Sequence, residues 1–141
     1  MAIRNITNNY SDKCTITPSE INTSTPPNVI VITANNGYKF SDLYDNGLSS
    51  PMVNFNSRDG DFTTNDPSLF SVILSADKKT LTFTPNADGI DYLSGCTGGE
   101  IIVNSNHPIL IDDTPTNPIL TLNKNLTNVT MSPDVTSIEL D

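Results

Sequence analysis

Short segments in which apolar and polar residues alternate recur along the chain, with turn-forming residues between them. Alternation with a period of two is typical of a β-strand that has one buried face. The pattern predicts strands over residues 14–17, 38–40, 51–55 and 101–103. Residues 29–34 form a continuous β-branched and apolar run, which predicts a strand buried on both faces.

The clearest local prediction is a β-hairpin over residues 69–84. Residues 80–84 alternate strictly, so Leu81 and Phe83 should point inward while the intervening threonines face water. A short helix over residues 41–47 is compatible with Ser41 as N-cap and Gly47 at the C-terminal end, and a plain loop is an equal alternative. The expected core contains Val29, Val31, Phe40, Val72, Leu74, Leu81 and Phe83, with Ile30 and Ile32 at least partly covered.

Composition extends this prediction to the whole chain. The 141 residues include 18 Asn, 18 Thr and 14 Ser, but four Ala, three Glu and no Gln. Ala, Glu and Gln are common on exposed helix surfaces, whereas Thr, Val and Ile suit pleated sheets. The sequence therefore predicts an all-β protein built mainly from antiparallel strands.

The C-terminal region differs from the rest of the chain. Residues 1–107 are expected to form one β-domain with its core over residues 12–103, and residues 108–118 contain three prolines and predict an extended linker. Residues 119–141 are too apolar for a solvated tail. They predict an arm that either pairs with a neighbouring subunit or folds back as edge strands on its own domain. The start of a second repeat is a further alternative, because residues 125–135 resemble the N-terminal pattern. The residues assigned to the arm are Ile119, Leu120, Leu122, Val129 and Met131.

Charge and hydropathy exclude several classes of protein. The net charge is −9, and Lys78 and Lys79 are the only adjacent basic pair, so neither nucleic acid nor anionic lipid is an expected partner. The longest apolar run has four residues, whereas a membrane span needs about 20. Because the first residues are polar and lack the apolar run of a secretory signal, we expect synthesis in the cytoplasm. Cys14 and Cys96 are then reduced by default, although a disulfide between them stays open.

No residue pattern indicates catalysis or a resident cofactor. His107 is the only histidine, and it lacks a nearby nucleophile motif, so we expect a surface or packing role. Two pairs of carboxylates each flank a glycine: Asp59 with Asp61, and Asp88 with Asp91. Ordinary turns explain these pairs better than calcium does, but the four residues are the candidate calcium ligands.

The four tyrosines offer a further alternative. They could form a platform on which a carbohydrate stacks, although core or edge packing is the expected role, because the chain has no tryptophan to strengthen such a platform. They are Tyr10, Tyr38, Tyr44 and Tyr92.

Two segments resemble a known family. Residues 14–18, followed by residues 29–40 with their Thr-Ala-Asn-Asn-Gly-Tyr-Lys-Phe sequence, are similar to the opening of Ig-like repeats in bacteriophage virion proteins and in surface proteins of low-GC Gram-positive bacteria. Residues 69–84 resemble the closing hairpin of such repeats. The resemblance covers residues 12–103 and departs at residues 46–67, which are longer and more irregular than in a lean repeat.

The resemblance implies an antiparallel Ig-like β-sandwich with a C-terminal extended arm. It carries no catalytic residues, and it implies a non-enzymatic structural protein of a virion: a capsid decoration, head-fibre or tail component. Partners would then be other copies of the chain and other virion proteins, with possible contact to the host surface. The alternative is a bacterial cell-surface adhesion module that binds glycan or protein.

Overall fold

The computed structural model describes residues 2–41 and 50–111, together with the backbone of two strands near the C-terminus. The chain divides into two compact units, Met1–Leu110 and Ile111–Asp141. Through its described residues the first unit consists of strands and one short helix, which confirms the all-β prediction.

The strands are short and follow one another closely. Those described up to residue 111 are β1 (Ile3–Thr7), β2 (Cys14–Thr17), β3 (Glu20–Asn22), β4 (Ile30–Ala34), β5 (Tyr38–Lys39), β6 (Met52–Ser57), β7 (Phe62–Thr63), β8 (Phe70–Leu74), β9 (Thr80–Pro85), β10 (Cys96–Ile102) and β11 (Leu110–Ile111). The helix α1 (Ala87–Ser94) lies between β9 and β10. Strands β1, β3 and β7 were not predicted, because each is short or follows no clear alternation.

Two sheets make up most of the first unit. A four-stranded sheet has the order β2-β4-β9-β8, and all its neighbours are antiparallel. A five-stranded sheet has the order β3-β1-β10-β6-β7. Strands β1 and β10 pair in parallel, with Ile6 opposite Gly99, and are the exception among the described pairs of these two sheets. Strands β5 and β11 form a separate two-stranded sheet.

Both large sheets contribute to one hydrophobic core. Ile21, Val53 and Phe55 come from the five-stranded sheet, and Ile32 and Phe83 come from the four-stranded sheet. All five side chains are fully buried. The burial of apolar surface from both sheets is the main favourable contribution to folding that the structure displays.

Strand β4 corrects the prediction for residues 29–34. Ile30 and Ile32 are buried, whereas Val29 is 43% exposed and Val31 is half-buried. The reason is register: Ile30 lies opposite Phe83 in β9, and opposing residues of antiparallel strands share one face of the sheet. The strand therefore alternates, and the predictions that it is buried on both faces and that Val29 and Val31 belong to the core are wrong.

The predicted hairpin is confirmed as β8 and β9. Leu81 and Phe83 are fully buried, and Thr84 is exposed. Val72 and Leu74 pack against the core but stay partly exposed. Their position explains this, because among the described strands β8 has a neighbour on one side only.

Helix α1 was not predicted, and residues 88–91 belong to it rather than to an acidic loop. Asn86 is the N-cap, and its side-chain oxygen accepts a hydrogen bond from the backbone N–H of Gly89 at 2.9 Å. Asp88 lies in the first turn, where the negative charge of a carboxylate interacts favourably with the helix dipole. An asparagine followed by an acidic residue is a recognisable start signal. Residues 42–49, on which the predicted helix at 41–47 largely falls, lie outside the described part of the chain.

The second unit contains strands β12 (Ile119–Leu122) and β13 (Ser137–Leu140). They pair in parallel, with Ile119 opposite Ser137 and Leu122 opposite Leu140. Three of the predicted arm residues, Ile119, Leu120 and Leu122, lie in β12, and Val129 and Met131 lie outside the described residues. The first unit extends through Leu110, and Ile109 is buried in its core, so this unit continues beyond residue 107.

Candidate binding groove

Two adjoining cavities lie where the turn after β6, the end of α1 and the start of β10 meet. One has a volume of about 170 Å³ and is lined by Ser57, Asp59, Gly60, Asp91, Tyr92 and Gly95. The other has a volume of about 290 Å³, and its lining includes Arg4, Thr23, Arg58, Asp59, Cys96 and Thr97. Both are lined by Asp59 and Gly95, and together they are called the groove below.

The turn over residues 57–60 positions Arg58 and Asp59. Gly60 has a φ of +123°, a conformation that residues with a Cβ rarely adopt, so this turn requires glycine. The Gly60 N–H donates to the Ser57 carbonyl at 3.2 Å and closes the turn. The Ser57 hydroxyl donates to the Gly95 carbonyl at 3.5 Å, which connects the turn to the end of α1.

The end of α1 forms the opposite wall. Leu93 is fully buried and anchors the helix, while Tyr92 stays 48% exposed at the groove. The Tyr92 ring meets Phe62 edge to face, with 5.4 Å between ring centroids. This arrangement holds the ring in place and leaves nearly half of its surface for a ligand.

Positive charge in the groove comes from Arg4 and Arg58, which are the only arginines of the chain. Arg4 lies in β1, two residues before the buried Ile6, so it points to the same side of the sheet and is half-buried. Its Nε atom is buried and has no hydrogen-bond partner among the described residues. A buried donor of this kind is a feature that a bound acceptor would satisfy.

The structure separates the four candidate calcium ligands. Asp59 and Asp91 line the same cavity, whereas Asp61 and Asp88 do not line it. Within the part of the chain that is described, no three His, Cys, Asp or Glu side chains are grouped to hold a metal ion. The four aspartates therefore do not line one common cavity.

The other predicted positions have simpler outcomes. His107 is buried, with 7% of its surface exposed, and does not line the groove. Tyr10 and Tyr38 pack against the core, and Tyr44 lies outside the described residues. Of the three described tyrosines considered for a carbohydrate platform, Tyr92 lines the groove.

Cys14 and Cys96 are both free and buried, and they belong to different sheets. Burial, together with the negative charge of Asp12, raises the pKa of the Cys14 thiol to about 11. Burial also raises the pKa of Cys96, although the nearby charge of Arg4 acts in the opposite direction. Arg4 is thus close enough to the Cys96 thiol to influence its ionisation.

We expect the Cys14 thiol to make stability fall at high pH. Its pKa is about 11 in the folded protein against an ordinary value of 9.0, so the unfolded chain loses this proton first as the pH rises. The contribution of Cys14 to the free energy of unfolding is fully present below about pH 9 and is lost as the pH rises towards 11. Urea unfolding across this range should show a smaller decline for Cys14→Ala than for the unmodified protein, and equal declines would contradict the prediction.

Sequence reasoning missed the two arginines of the groove. An available signal was that Arg4 and Arg58 are the only arginines of an acidic chain. The residues around each arginine do not indicate that both line one cavity. Arg4 is placed there by the parallel pairing of β1 with β10, which the local sequence does not predict.

The comparisons add no relative to this picture. No protein-family model, no curated protein and no solved structure matches the chain. In the part of the chain that is described, no helix has the length and apolar character needed to cross a membrane. Fold and groove therefore define a β-rich protein with two principal sheets, one shared core and a polar groove at the end of helix α1.

Proposed function

We propose that this chain is a non-enzymatic structural module of a bacteriophage virion, a capsid decoration, head-fibre or tail component that acts in assembly or attachment. The resemblance of residues 14–18, 29–40 and 69–84 to Ig-like repeats supports this proposal. The finer fold assignment, an Ig-like β-sandwich, is supported by the two sheets that contribute to one core. The partners of such a module are further copies of itself and other virion proteins.

The observation that carries the assembly function is the edge of β8, which pairs with β9 alone among the described strands. Its residues, Phe70–Leu74, include no charge and no proline, and Ile73 is 65% exposed. The edge strands of the five-stranded sheet are protected: β3 has three residues and includes Glu20, and β7 has two residues. The second edge strand of the four-stranded sheet, β2, is also uncharged, but it has four residues and Pro18 follows it directly. Natural proteins use charge, proline or short length to prevent unwanted strand pairing, so an unprotected edge suits an intended partner.

A second copy of the chain fits this edge. In an antiparallel β8–β8 pair centred on Val72, Phe70 of each copy lies opposite Leu74 of the other, and both remain on the core-facing side. Pairing would cover more of Val72 and Leu74, which are partly exposed in the single chain. Such a contact uses the same surface on both copies, which is the commonest symmetry of protein dimers.

The C-terminal arm supports the same function. An isolated two-stranded sheet is at best marginally stable in water. Strands β12 and β13 pair with each other over four residues, so a neighbouring surface would stabilise them. We propose that this arm, with its apolar Ile119, Leu120 and Leu122, packs on a neighbouring subunit.

Analytical ultracentrifugation over a wide concentration range tests the assembly function. We expect the unmodified chain to self-associate. Ile73→Lys should lower the association constant at least about tenfold, because it places a positive charge from each copy at the paired edge. Thr84→Lys places the same charge on the neighbouring inner strand β9 and should have little effect.

Three outcomes would contradict the assembly proposal or its details. A monomer at every concentration, in a chain that also fails to incorporate into particles, would overturn the assembly function. Equal weakening by Thr84→Lys would show that the outer face of the sheet, rather than the β8 edge, makes the contact. If assembly is unchanged after deletion of residues 119–141, the arm does not contribute to the contact between subunits.

Attachment to a glycan is a second candidate function, for a virion or for a bacterial surface module. The exposed face of Tyr92 in the groove favours it, since an aromatic ring held beside polar side chains is suited to bind a sugar. Binding of any saccharide in the groove, detected by backbone amide shifts at residues 57–60 and 91–97, would support this function.

A further inference from the structure

The arginines of the groove are unusual for this chain. Seven basic residues stand against sixteen acidic ones, yet both arginines line a single cavity of about 290 Å³. That volume is near the lower limit of about 300 Å³ for small-ligand pockets. An acidic protein that places both of its guanidinium groups at one cavity creates a local site for a negatively charged group.

Arg4 is held in a position to bind such a group. It lies in β1, between β3 and β10, and its side chain is half-buried beside the core. The buried Nε atom lacks a hydrogen-bond partner among the described residues. A guanidinium presents its N–H donors in a planar fork that matches the two oxygens of a carboxylate. A bound carboxylate would therefore satisfy a donor that folding alone leaves unpaired.

The rest of the groove suits a sugar. The Tyr92 ring, which is 48% exposed, can pack against a pyranose ring, and the carboxylates of Asp59 and Asp91 can accept hydrogen bonds from sugar hydroxyls. The hydroxyls of Thr23 and Thr97 line the arginine-containing part. Because the aspartates would repel a small free anion, they favour a ligand that carries hydroxyl donors as well as a negative charge.

We propose that the groove binds an acidic saccharide, with its carboxylate at Arg4 and Arg58 and its ring on Tyr92. This inference rests on the attachment function proposed above and is independent of self-association through β8. It names the ligand class of that function, a sugar that carries a carboxylate, such as a uronic acid.

A matched pair of ligands tests the inference on the full chain. Methyl glucuronide and methyl glucoside differ in the carboxylate, and each is titrated into isotope-labelled protein while backbone amide shifts are recorded. We expect the glucuronide to bind at least about tenfold more tightly than the glucoside, because its carboxylate adds charge-assisted hydrogen bonds to the arginines. The shifts should lie at residues 57–60 and 91–97.

Variants identify the residues responsible. Arg58→Gln and Arg4→Gln should each weaken glucuronide binding about tenfold or more and leave glucoside binding unchanged. Lys13→Gln makes the same change in net charge outside the groove and should leave both unchanged. Tyr92→Ala should weaken both sugars, and Tyr92→Phe should restore binding. If Arg4→Gln loses its dispersed amide spectrum, Arg58→Gln still decides the result.

The outcomes separate this inference from the attachment function. Equal affinity for both sugars would overturn the acidic ligand and leave attachment to glycans intact. Failure of both sugars to bind would overturn the inference and count against glycan attachment. Sodium acetate that binds as tightly as the glucuronide, with the same loss in the arginine variants, would overturn the role of the sugar.

Discussion

Replacing Phe83 by alanine is expected to lower the free energy of unfolding by about 3–5 kcal/mol. Phe83 is fully buried in β9, an inner strand that lies between β4 and β8. Its register partners are Ile30 and Val72, so the truncation removes contacts with both neighbouring strands. Because two paired strands fix the position of the backbone, the surrounding structure has little freedom to close the cavity.

Urea unfolding monitored by circular dichroism measures this effect, and the adjacent Thr84→Ala is the matched control. Thr84 is exposed on the other face of β9, so its replacement should change the free energy of unfolding by less than about 0.5 kcal/mol. A change of that size for Phe83→Ala would show that the two faces of the hairpin are assigned backwards.

Replacing Gly89 by alanine is expected to destabilise the protein by about 1–3 kcal/mol, although alanine is the better helix former. A Cβ atom at this position would lie 2.3 Å from the Leu69 carbonyl oxygen and 2.9 Å from Cβ of Pro85. The Leu69 oxygen also accepts a hydrogen bond from the Asn86 N–H at 2.9 Å. Moving helix α1 away from this oxygen would therefore disturb the helix N-terminus as well.

The control for Gly89 is the second glycine of the same region. A Cβ at Gly95 would meet nothing closer than the Tyr92 carbonyl oxygen at 3.8 Å, so Gly95→Ala should be neutral or slightly stabilising. Differential scanning calorimetry on both variants compares them directly. If Gly89→Ala raised the melting temperature as much as Gly95→Ala, the close approach between α1 and the β7–β8 segment would be contradicted.

Local pattern predicted the hairpin better than any other element. Strict alternation over residues 80–84 gave the facing of Leu81 and Phe83, because side chains on successive strand residues point to opposite sides. The run at residues 29–34 carried no alternation, so the sequence predicted burial on both faces. That prediction is wrong, because pairing with β9 places Ile30 and Ile32 on the buried face and leaves Val31 half-buried. Helix α1 was missed because its paired aspartates around Gly89 were interpreted as a turn, although Asn86 provided a start signal.

The sequence predicted the groove less well than it predicted the strands. Asp59, Asp91 and Tyr92 were each considered from the sequence, but for different ligands and without a common location. Arg4 and Arg58 were not considered at all. Their placement at one cavity depends on the parallel pairing of β1 with β10 and on the antiparallel pairing of β10 with β6. Both pairings connect segments that are far apart along the chain.

The amino-acid sequence by itself determined that this protein is built from strands and which residues of the β8–β9 hairpin face inward. Those properties follow from composition and from alternation, which are local. The tertiary structure alone decided the inward face of β4, the parallel position of β1 and the placement of Arg4 and Arg58 at one cavity. The physical reason is register: which residues become neighbours depends on the partner strand and its alignment, and a local pattern carries no information about either.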